Sequence, residues 1–192
     1  MKTTLLRSGL IAAAFFLLPA HRIANADGHV AHAPVRKTLK GFSLPSQPVR
    51  IVIDKSAYEL QVYDAQGWYA TYPVVFGNNS LADKCMEGDR CTPEGDFRII
   101  NKRVHNKWSR FLGIDYPTAQ SIARFQELKR RGKIPATATP GAGVGIHGTW
   151  PNDEYMIDRY SNWTNGCIAM KNEDVQELYQ YATVGTPVQI RR

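Results

Sequence analysis

Three runs of alternating apolar and polar residues constrain the fold of this chain more than any other feature. They occupy residues 49–54, 58–64 and 68–76 and are rich in β-branched and aromatic side chains. Short polar segments at 54–57 and 64–67 separate them and have the composition of turns. Because a period of two directs every second side chain of a strand towards the core, the pattern predicts an antiparallel β-meander.

The rest of the folded region predicts further strands and two helices. Residues 97–104, 144–147 and 187–191 have the composition of strands. Apolar residues recur at helical intervals within 118–132, and 172–182 begins with an asparagine suited to cap a helix, followed by acidic residues. We therefore expect a mainly β fold, a curved β-sheet or sandwich with two peripheral α-helices.

Residues 1–26 have the features of a secretory signal peptide. Lys2 and Arg7 supply positive charge, residues 10–18 form a short apolar run, and residues 24–26 match the small-x-small cleavage pattern. A retained membrane anchor is the alternative, but the run is shorter than the roughly 18 to 20 residues that a spanning helix needs. We expect export to the periplasm or the cell-wall space, without stable membrane insertion after cleavage.

Residues 27–48 lack a hydrophobic period and predict a flexible linker, while residues 49–192 predict one catalytic domain. The formal charge of +7 favours contact with anionic surfaces, which for an exported protein are wall polymers and lipid headgroups. The basic residues are scattered and no RNA-binding or helix-turn-helix signature accompanies them, so no nucleic-acid partner is expected. The oligomeric state is left open.

Three cysteines are an odd number for a chain in an oxidising compartment. Cys85 and Cys91 flank a short polar loop whose ends can approach, and a disulfide between them is the favoured interpretation. A metal site is the alternative, but no second pair of ligands stands at a matching spacing, and His105 alone does not supply one. This pairing leaves Cys167 as a free thiol.

Two short segments, 146–149 and 162–170, carry residues suited to nucleophilic catalysis. An imidazole beside a thiol can remove its proton and later protonate a leaving amine, so His147 and Cys167 form a candidate pair. Gly166 lets the backbone turn tightly and bring amide groups near a reacting carbonyl, as an oxyanion hole requires. The alternative is a buried structural thiol and a hydrogen-bonded structural histidine, and spacing alone does not decide between them.

These segments resemble the signature of the YkuD family of L,D-transpeptidases. In that signature a His followed by Gly or Ser precedes a Ser/Thr-x-Gly-Cys segment, and here sixteen residues separate His147 from Thr164. The similarity extends over roughly residues 49–190 and includes the segment Thr-Pro-Glu-Gly-Asp-Phe-Arg-Ile at 92–99.

The resemblance implies that Cys167 is the nucleophile, that His147 is the base, and that the Gly148 carbonyl orients the imidazole. It implies that amides around Gly166 and Cys167 form the oxyanion hole. The expected substrate is the tetrapeptide stem of peptidoglycan, whose acyl group forms a thioester on Cys167 and then passes to an amine. The resemblance implies neither a metal nor an organic cofactor.

Several residues near this site are candidate substrate contacts. Trp150 and Tyr155 are selected among the nearby aromatic residues as a platform for sugar or peptide, although aromatic side chains there can also fill the core. Thr164 and Asn165, which precede the nucleophile in the motif, complete the expected set.

The motif departs from the family at two positions. Asn165 stands where many members have His, and Ala169 stands where many have Arg, a side chain that could hold a carboxylate in a bidentate grip. Lys171, Arg159 and Lys102 are candidates to replace that arginine.

The expected function is transfer, either peptidoglycan crosslinking or attachment of another amine, in wall organisation and cell shape. Two alternatives remain open. The first is a hydrolase of the same scaffold, an L,D-carboxypeptidase, amidase or endopeptidase. The second is a catalytically inactive wall-binding protein, which the absence of arginine at position 169 favours.

Overall fold

The computed structural model describes residues 37–41 and 43–192. The predicted signal peptide, residues 1–26, lies outside the described residues, as does the first part of the predicted linker, residues 27–36. Within the described ranges, no helix is both long enough and apolar enough to cross a membrane.

Nine strands of the described chain form one continuous sheet. The strands are β1 (Thr38–Leu39), β2 (Arg50–Asp54), β3 (Glu59–Asp64), β4 (Gly67–Pro73), β5 (Gly95–His105), β6 (Ser109–Ile114), β7 (Gly145–His147), β8 (Ile168–Ala169) and β9 (Pro187–Arg191). Their order across the sheet is β1-β4-β3-β2-β9-β5-β6-β7-β8. The pairs β2·β9 and β7·β8 are parallel, and the other neighbours are antiparallel.

The predicted meander is β2, β3 and β4, with Ile51 opposite Val62 and Val62 opposite Ala70. All three side chains are buried, because alternate positions of each strand face the core. The last strand then adds in parallel beside β2, so the C-terminal segment closes the middle of the sheet. These features confirm the mainly β fold.

Curvature brings the two ends of the sheet together beside the predicted catalytic motif. Val75, just after β4, exchanges two backbone hydrogen bonds of 2.9 Å with Ala169 of β8. Gly77 bridges Thr164 in the same region. The first third of the domain therefore reaches the last strand of the sheet.

Three helices occur in the described chain: α1 (Ala119–Arg130), α2 (Tyr155–Asp158) and α3 (Asn172–Tyr181). Two of them, α1 and α3, were predicted from their apolar period. The four-residue α2 was not, because one turn is too short to display a helical period. The cap of α3 also differs from expectation, since Lys171 occupies the cap position and the Asn172 side chain binds elsewhere.

The predicted flexible linker needs correction where the structure describes it. Thr38 and Leu39 form β1 and pair with the otherwise free edge of β4. Lys37 forms ion pairs with Asp174 and Glu177 at 3.0 and 2.6 Å. Composition did not reveal this, because the edge of a distant strand supplies the hydrogen bonds and α3 supplies the charges.

Candidate active site

His147 lies at the end of β7, with only 1% of its surface exposed. Its Nδ1 is 2.7 Å from the Gly148 carbonyl oxygen. Because a carbonyl oxygen only accepts hydrogen bonds, Nδ1 carries the proton and Nε2 keeps its lone pair. The ring is therefore oriented with Nε2 as the basic atom.

Aromatic rings enclose this imidazole. The Trp108 indole stacks on it with ring centroids 4.5 Å apart, and His105 stacks on the other face of Trp108 at 4.4 Å. Trp163 meets the imidazole edge-on at 5.6 Å. Burial lowers the pKa of His147 to about 4 against an opposing contribution from the Gly148 hydrogen bond, so the ring is neutral at pH 7.

The backbone after His147 is fixed by contacts that require a glycine. The Gly148 N–H donates to the Trp108 carbonyl at 3.0 Å, and the Thr149 N–H donates to Asn172 Oδ1 at 3.1 Å. A Cβ added to Gly148 would lie 2.1 Å from that same Oδ1. Asn172 thus holds the segment that orients the imidazole.

Cys167 lies next to β7, immediately before β8. In the parallel pairing of β7 with β8, His147 lies opposite Ala169, which is two positions after Cys167. Strand geometry then places the Cα atoms of His147 and Cys167 roughly 8 Å apart. The thiol donates to the Gly143 carbonyl at 3.7 Å. Burial raises the pKa of the Cys167 thiol, while the Gly145 backbone hydrogen bond and the Lys84 charge oppose that rise, so the resting pair is a neutral thiol and a neutral imidazole.

The turn before the nucleophile gives two predicted residues a different role. The Thr164 hydroxyl donates to the Cys167 carbonyl at 2.7 Å and accepts from the Gly166 N–H at 3.1 Å. Thr164 is buried, and its hydroxyl closes the turn before Cys167. The Gly166 amide, predicted for the oxyanion hole, is already bonded, and the Cys167 amide is the remaining member of that pair.

Cys167 borders a cleft of about 410 Å³. One wall comes from the loop between β4 and β5 and the other from the segment before β7. The lining residues are Lys84, Glu87, Gly88, Arg90, Gly141, Ala142, Gly143, Val144, Asn165 and Cys167. Of the predicted substrate contacts, Asn165 shares this cleft with the nucleophile.

The Asp89 carboxylate organises the first wall. It accepts from the backbone N–H groups of Cys85, Met86 and Cys91 at 2.6 to 3.0 Å and from Lys84 Nζ at 2.8 Å. These contacts hold the pKa of Asp89 below its ordinary value against the effect of burial. The wall is therefore built around a half-buried ionised carboxylate.

Cys85 and Cys91 are free thiols in the structure, and the disulfide between them stays a prediction. The thiols donate to different carbonyl oxygens, those of Asp83 at 3.5 Å and Asp89 at 3.6 Å. The Asp89 carboxylate, which accepts from the backbone N–H groups of both cysteines, holds this loop closed in the structure.

The two predicted aromatic contacts lie at the surface. Trp150 is 39% exposed and meets the Trp108 ring edge-on at 6.2 Å, so it extends the aromatic cluster around His147. Tyr155 is 49% exposed on α2, under the Arg159 guanidinium. Neither side chain lines the cleft beside Cys167.

The three cations proposed to replace the missing arginine have other partners. Lys171 pairs with Asp158 at 2.8 Å, Arg159 lies over the Tyr155 ring, and Lys102 donates to a backbone carbonyl on α3. None of them lines the cleft, whereas Lys84 and Arg90 do.

Three residues of this site were missed from the sequence: Trp108, Lys84 and Arg90. They lie far from both motif segments in the chain, and no local pattern marks them. The tryptophan in a short polar turn before an apolar strand was the one available signal, because such a ring needs a partner to pack against. Among the described residues, no group of three or more His, Cys, Asp or Glu side chains comes together to hold a metal ion.

Sequence comparison identifies relatives over most of the domain. The family described as "YkuD: L,D-transpeptidase catalytic domain" matches residues 48–190. A Bacillus subtilis protein named "Putative L,D-transpeptidase YqjB" is 32% identical over 149 residues, which are 77% of this chain and 73% of that protein.

Solved structures share the fold. The helical cell shape determining protein Pgp2 of Campylobacter jejuni superposes with a TM-score of 0.54 at 22% identity, over 75% of this chain and 47% of that one. Bd1075 of Bdellovibrio bacteriovorus gives a TM-score of 0.51 at 18% identity, over 81% and 54%. The chain thus spans about half the length of these solved structures.

Proposed function

Because the chain belongs to the YkuD family of L,D-transpeptidase catalytic domains, we propose that it transfers acyl groups of peptidoglycan stem peptides through a thioester on Cys167. The observation that carries this proposal is the position of Cys167. Its thiol borders an open cleft, and it immediately precedes β8, which pairs with the strand that ends in a neutral His147 whose Nδ1 is held by a carbonyl.

In the proposed first half-reaction, His147 Nε2 takes the thiol proton as the Cys167 sulfur attacks the stem carbonyl. The imidazolium then protonates the leaving nitrogen as the carbon–nitrogen bond breaks, which yields a thioester and a free D-amino acid. In the second half-reaction an acceptor amine attacks the thioester, its proton passes to Nε2, and the thiol re-forms.

The environment of His147 explains how one ring can serve both steps. A pKa near 4 makes the imidazolium a strong acid, which favours proton delivery to a leaving amine. The same pKa makes the ring a weak base towards the thiol. The Gly148 carbonyl compensates in part, because it accepts the Nδ1–H bond that strengthens when the ring becomes charged.

The product of the purified protein with muropeptides, identified by mass spectrometry, tests the proposal. A crosslinked dimer or an exchanged terminal amino acid is expected, and both should disappear in Cys167→Ala and His147→Gln. Cys85→Ala is the matched control, since it removes a thiol from the loop that bears one cleft wall and should retain turnover. A shortened stem without a new bond would instead indicate the hydrolase, and unchanged muropeptides the wall-binding protein.

Export forms part of the proposal. The substrate lies outside the cytoplasm, and residues 1–26 match a cleavable signal. Intact-mass measurement of protein recovered from the periplasm or wall fraction is expected to show a new N-terminus near Asp27. Full-length protein retained in the cytoplasm would contradict this localisation.

A further inference from the structure

The turn at residues 105–109, which joins β5 to β6, contacts the proposed base His147 in two ways. Its Trp108 indole stacks on the imidazole of His147, with ring centroids 4.5 Å apart. The Trp108 carbonyl accepts from the Gly148 N–H at 3.0 Å, and the Gly148 carbonyl in turn binds His147 Nδ1 at 2.7 Å. The position of the turn therefore sets both the cover of the imidazole and the backbone that orients it.

A second histidine closes this turn. The Nδ1 atom of His105 accepts from the backbone N–H groups of Lys107 and Trp108, each at 3.2 Å. Because Nδ1 accepts these bonds, it carries no proton, and the proton of the neutral ring is on Nε2. The same ring stacks on the Trp108 indole at a centroid distance of 4.4 Å and an interplanar angle of 9°. The closed turn thus requires the neutral form of His105.

Two features of the turn favour its opening when these bonds are lost. Ser109 has a φ of 58°, a left-handed conformation that is unfavourable for a residue other than glycine. The Trp108 Nε1 atom is buried without a hydrogen-bond partner among the described residues, which is also unfavourable. Trp108 is only half-buried as a whole, so a small movement brings its N–H into water. The bonds to His105 offset these costs in the closed turn.

The charges around His105 also favour its neutral form. Burial and two nearby cations, Arg103 of β5 and Lys107 of the turn, lower the pKa of His105 from its ordinary value of 6.5. The titratable group across the indole is His147 of β7. A protonated His105 would be attracted to the indole face, but it would be repelled by both cations and could not accept from either N–H group.

We propose that His105 is a positioning residue for His147, and that protonation of His105 opens the turn and withdraws the indole from the base. With His105 neutral, the closed turn keeps the indole on the imidazole and the Gly148 N–H bonded. With His105 protonated, the two N–H groups lose their acceptor and water reaches the imidazole. His147 then takes up a proton more readily, because burial no longer disfavours its charged form.

The two histidines therefore become protonated together as the pH falls. Repulsion between the two charged rings opposes this coupling, but water and salt screen it once the turn is open. His105 acts through Trp108, and nothing places it at the reacting atoms. The proposal rests on the proposed function for the role of His147 as base, whereas the link between the two rings does not depend on turnover.

Three substitutions of His105 separate its two contacts with the turn. His105→Asn keeps an acceptor, because Oδ1 is as many bonds from the backbone as Nδ1 and asparagine forms the same local bonds in turns, but it neither stacks nor titrates. His105→Phe keeps a stacked ring and loses the acceptor, and His105→Ala loses both. Asn106→Ala is the matched control, since it changes an exposed side chain of the same turn.

NMR on the full chain tests the link without turnover. The pKa of His147 should stay near 4 in His105→Asn and Asn106→Ala. It should rise by about 1 in His105→Phe and His105→Ala, up to the effect expected for removal of the indole. In the unsubstituted protein, the amide signals of Lys107 and Trp108 should shift as the His105 ring titrates, and in His105→Asn this shift should be lost.

The pH profile of turnover tests the role in catalysis. At acid pH the logarithm of kcat/KM should fall with a slope of about two in the unsubstituted protein and of about one in His105→Asn, because two coupled protons become one. At pH 7, His105→Phe and His105→Ala should lower kcat about tenfold with little change in KM, since the hydrogen bonds that position the turn are lost. His105→Asn should restore most of that loss.

The outcomes distinguish this proposal from the proposed function. An unchanged His147 pKa in both His105→Phe and His105→Ala, or a low pKa kept by Phe but not by Asn, would overturn the role of the His105 acceptor. A slope of about one in the unsubstituted protein, whose fold no substitution disturbs, would overturn the joint protonation. Absent turnover together with the expected NMR result would refute the proposed transferase and leave the link between the histidines standing.

Discussion

Replacing Trp108 by alanine is expected to raise the pKa of His147 from about 4 towards its ordinary value of 6.5. The indole covers one face of the imidazole at a centroid distance of 4.5 Å, and burial is the main cause of the low pKa. Trp108 is itself partly exposed, so its removal opens that face to water. Trp108→Phe is the matched control, because it keeps an apolar ring against the imidazole.

The expected size of the change follows from how far the pKa of His147 lies below its ordinary value. A value near 4 instead of 6.5 means that the imidazolium is disfavoured by roughly 3 kcal/mol in the folded protein. An aromatic face also attracts a cation, by about 1 kcal/mol, so removal of the indole acts in two opposing directions. Burial is the larger contribution. Since Phe111 and Trp163 still cover part of the imidazole ring, we expect the pKa of His147 to rise by about 1 to 2 in Trp108→Ala.

Two measurements check this prediction. Histidine side-chain NMR gives the pKa directly. The pH dependence of the free energy of unfolding also reports this pKa. Below pH 6.5 His147 is protonated in the unfolded chain, whereas in the folded protein it is protonated only near pH 4. The free energy of unfolding therefore falls as the pH decreases between these two values. Trp108→Ala should weaken this dependence, and the acid limb of turnover should move to higher pH. An unchanged His147 pKa in Trp108→Ala would refute the assignment of the indole as its cause.

Three further predictions concern the backbone at the base and the cysteines. Gly148→Ala should lower the free energy of unfolding by about 1 to 3 kcal/mol in denaturant unfolding, because the added Cβ would lie 2.1 Å from Asn172 Oδ1. Gly41→Ala is the control and should leave this free energy unchanged, because its Cβ meets nothing within 4 Å. Alkylation of Cys167 should keep accelerating above its ordinary pKa of 9.0, since burial raises the pKa of this thiol, and a rate plateau near neutral pH would contradict the neutral resting pair. Oxidation of the purified protein should join Cys85 to Cys91 and leave Cys167 free. Peptide mass mapping without reductant checks this, and a bridge that contains Cys167 would contradict it.

Local sequence patterns determined much of the scaffold. The alternation at 49–76 identified β2 to β4, and the segment 187–191 predicted β9 with its observed boundaries. The helical period identified α1 and α3. These elements could be predicted because the apolar residues of each one recur at a regular interval within a short stretch of sequence. This interval can be recognised without knowing which other segments pack against the element.

The motif also identified the chemistry of the candidate pair. His147 and Cys167 were selected from residue type and family resemblance, together with the Gly148 carbonyl. The sequence could not assign the amide of Gly166 or the hydroxyl of Thr164, because their roles depend on how one four-residue turn closes. It also missed β1, β6 and β8, and the partners of β1 and β8 lie far away in the chain.

The tertiary structure alone decided what surrounds the pair. Trp108 reaches the imidazole because β6 pairs with β7. Arg90 lines the same cleft as the nucleophile because the segment after β4 crosses to the other end of the sheet. Such contacts join residues separated by tens of positions, and no local period records them. The sequence determined which groups could react. The shape of the cleft, and the burial and charges that set the pKa values of these groups, come only from chain segments that the fold brings together.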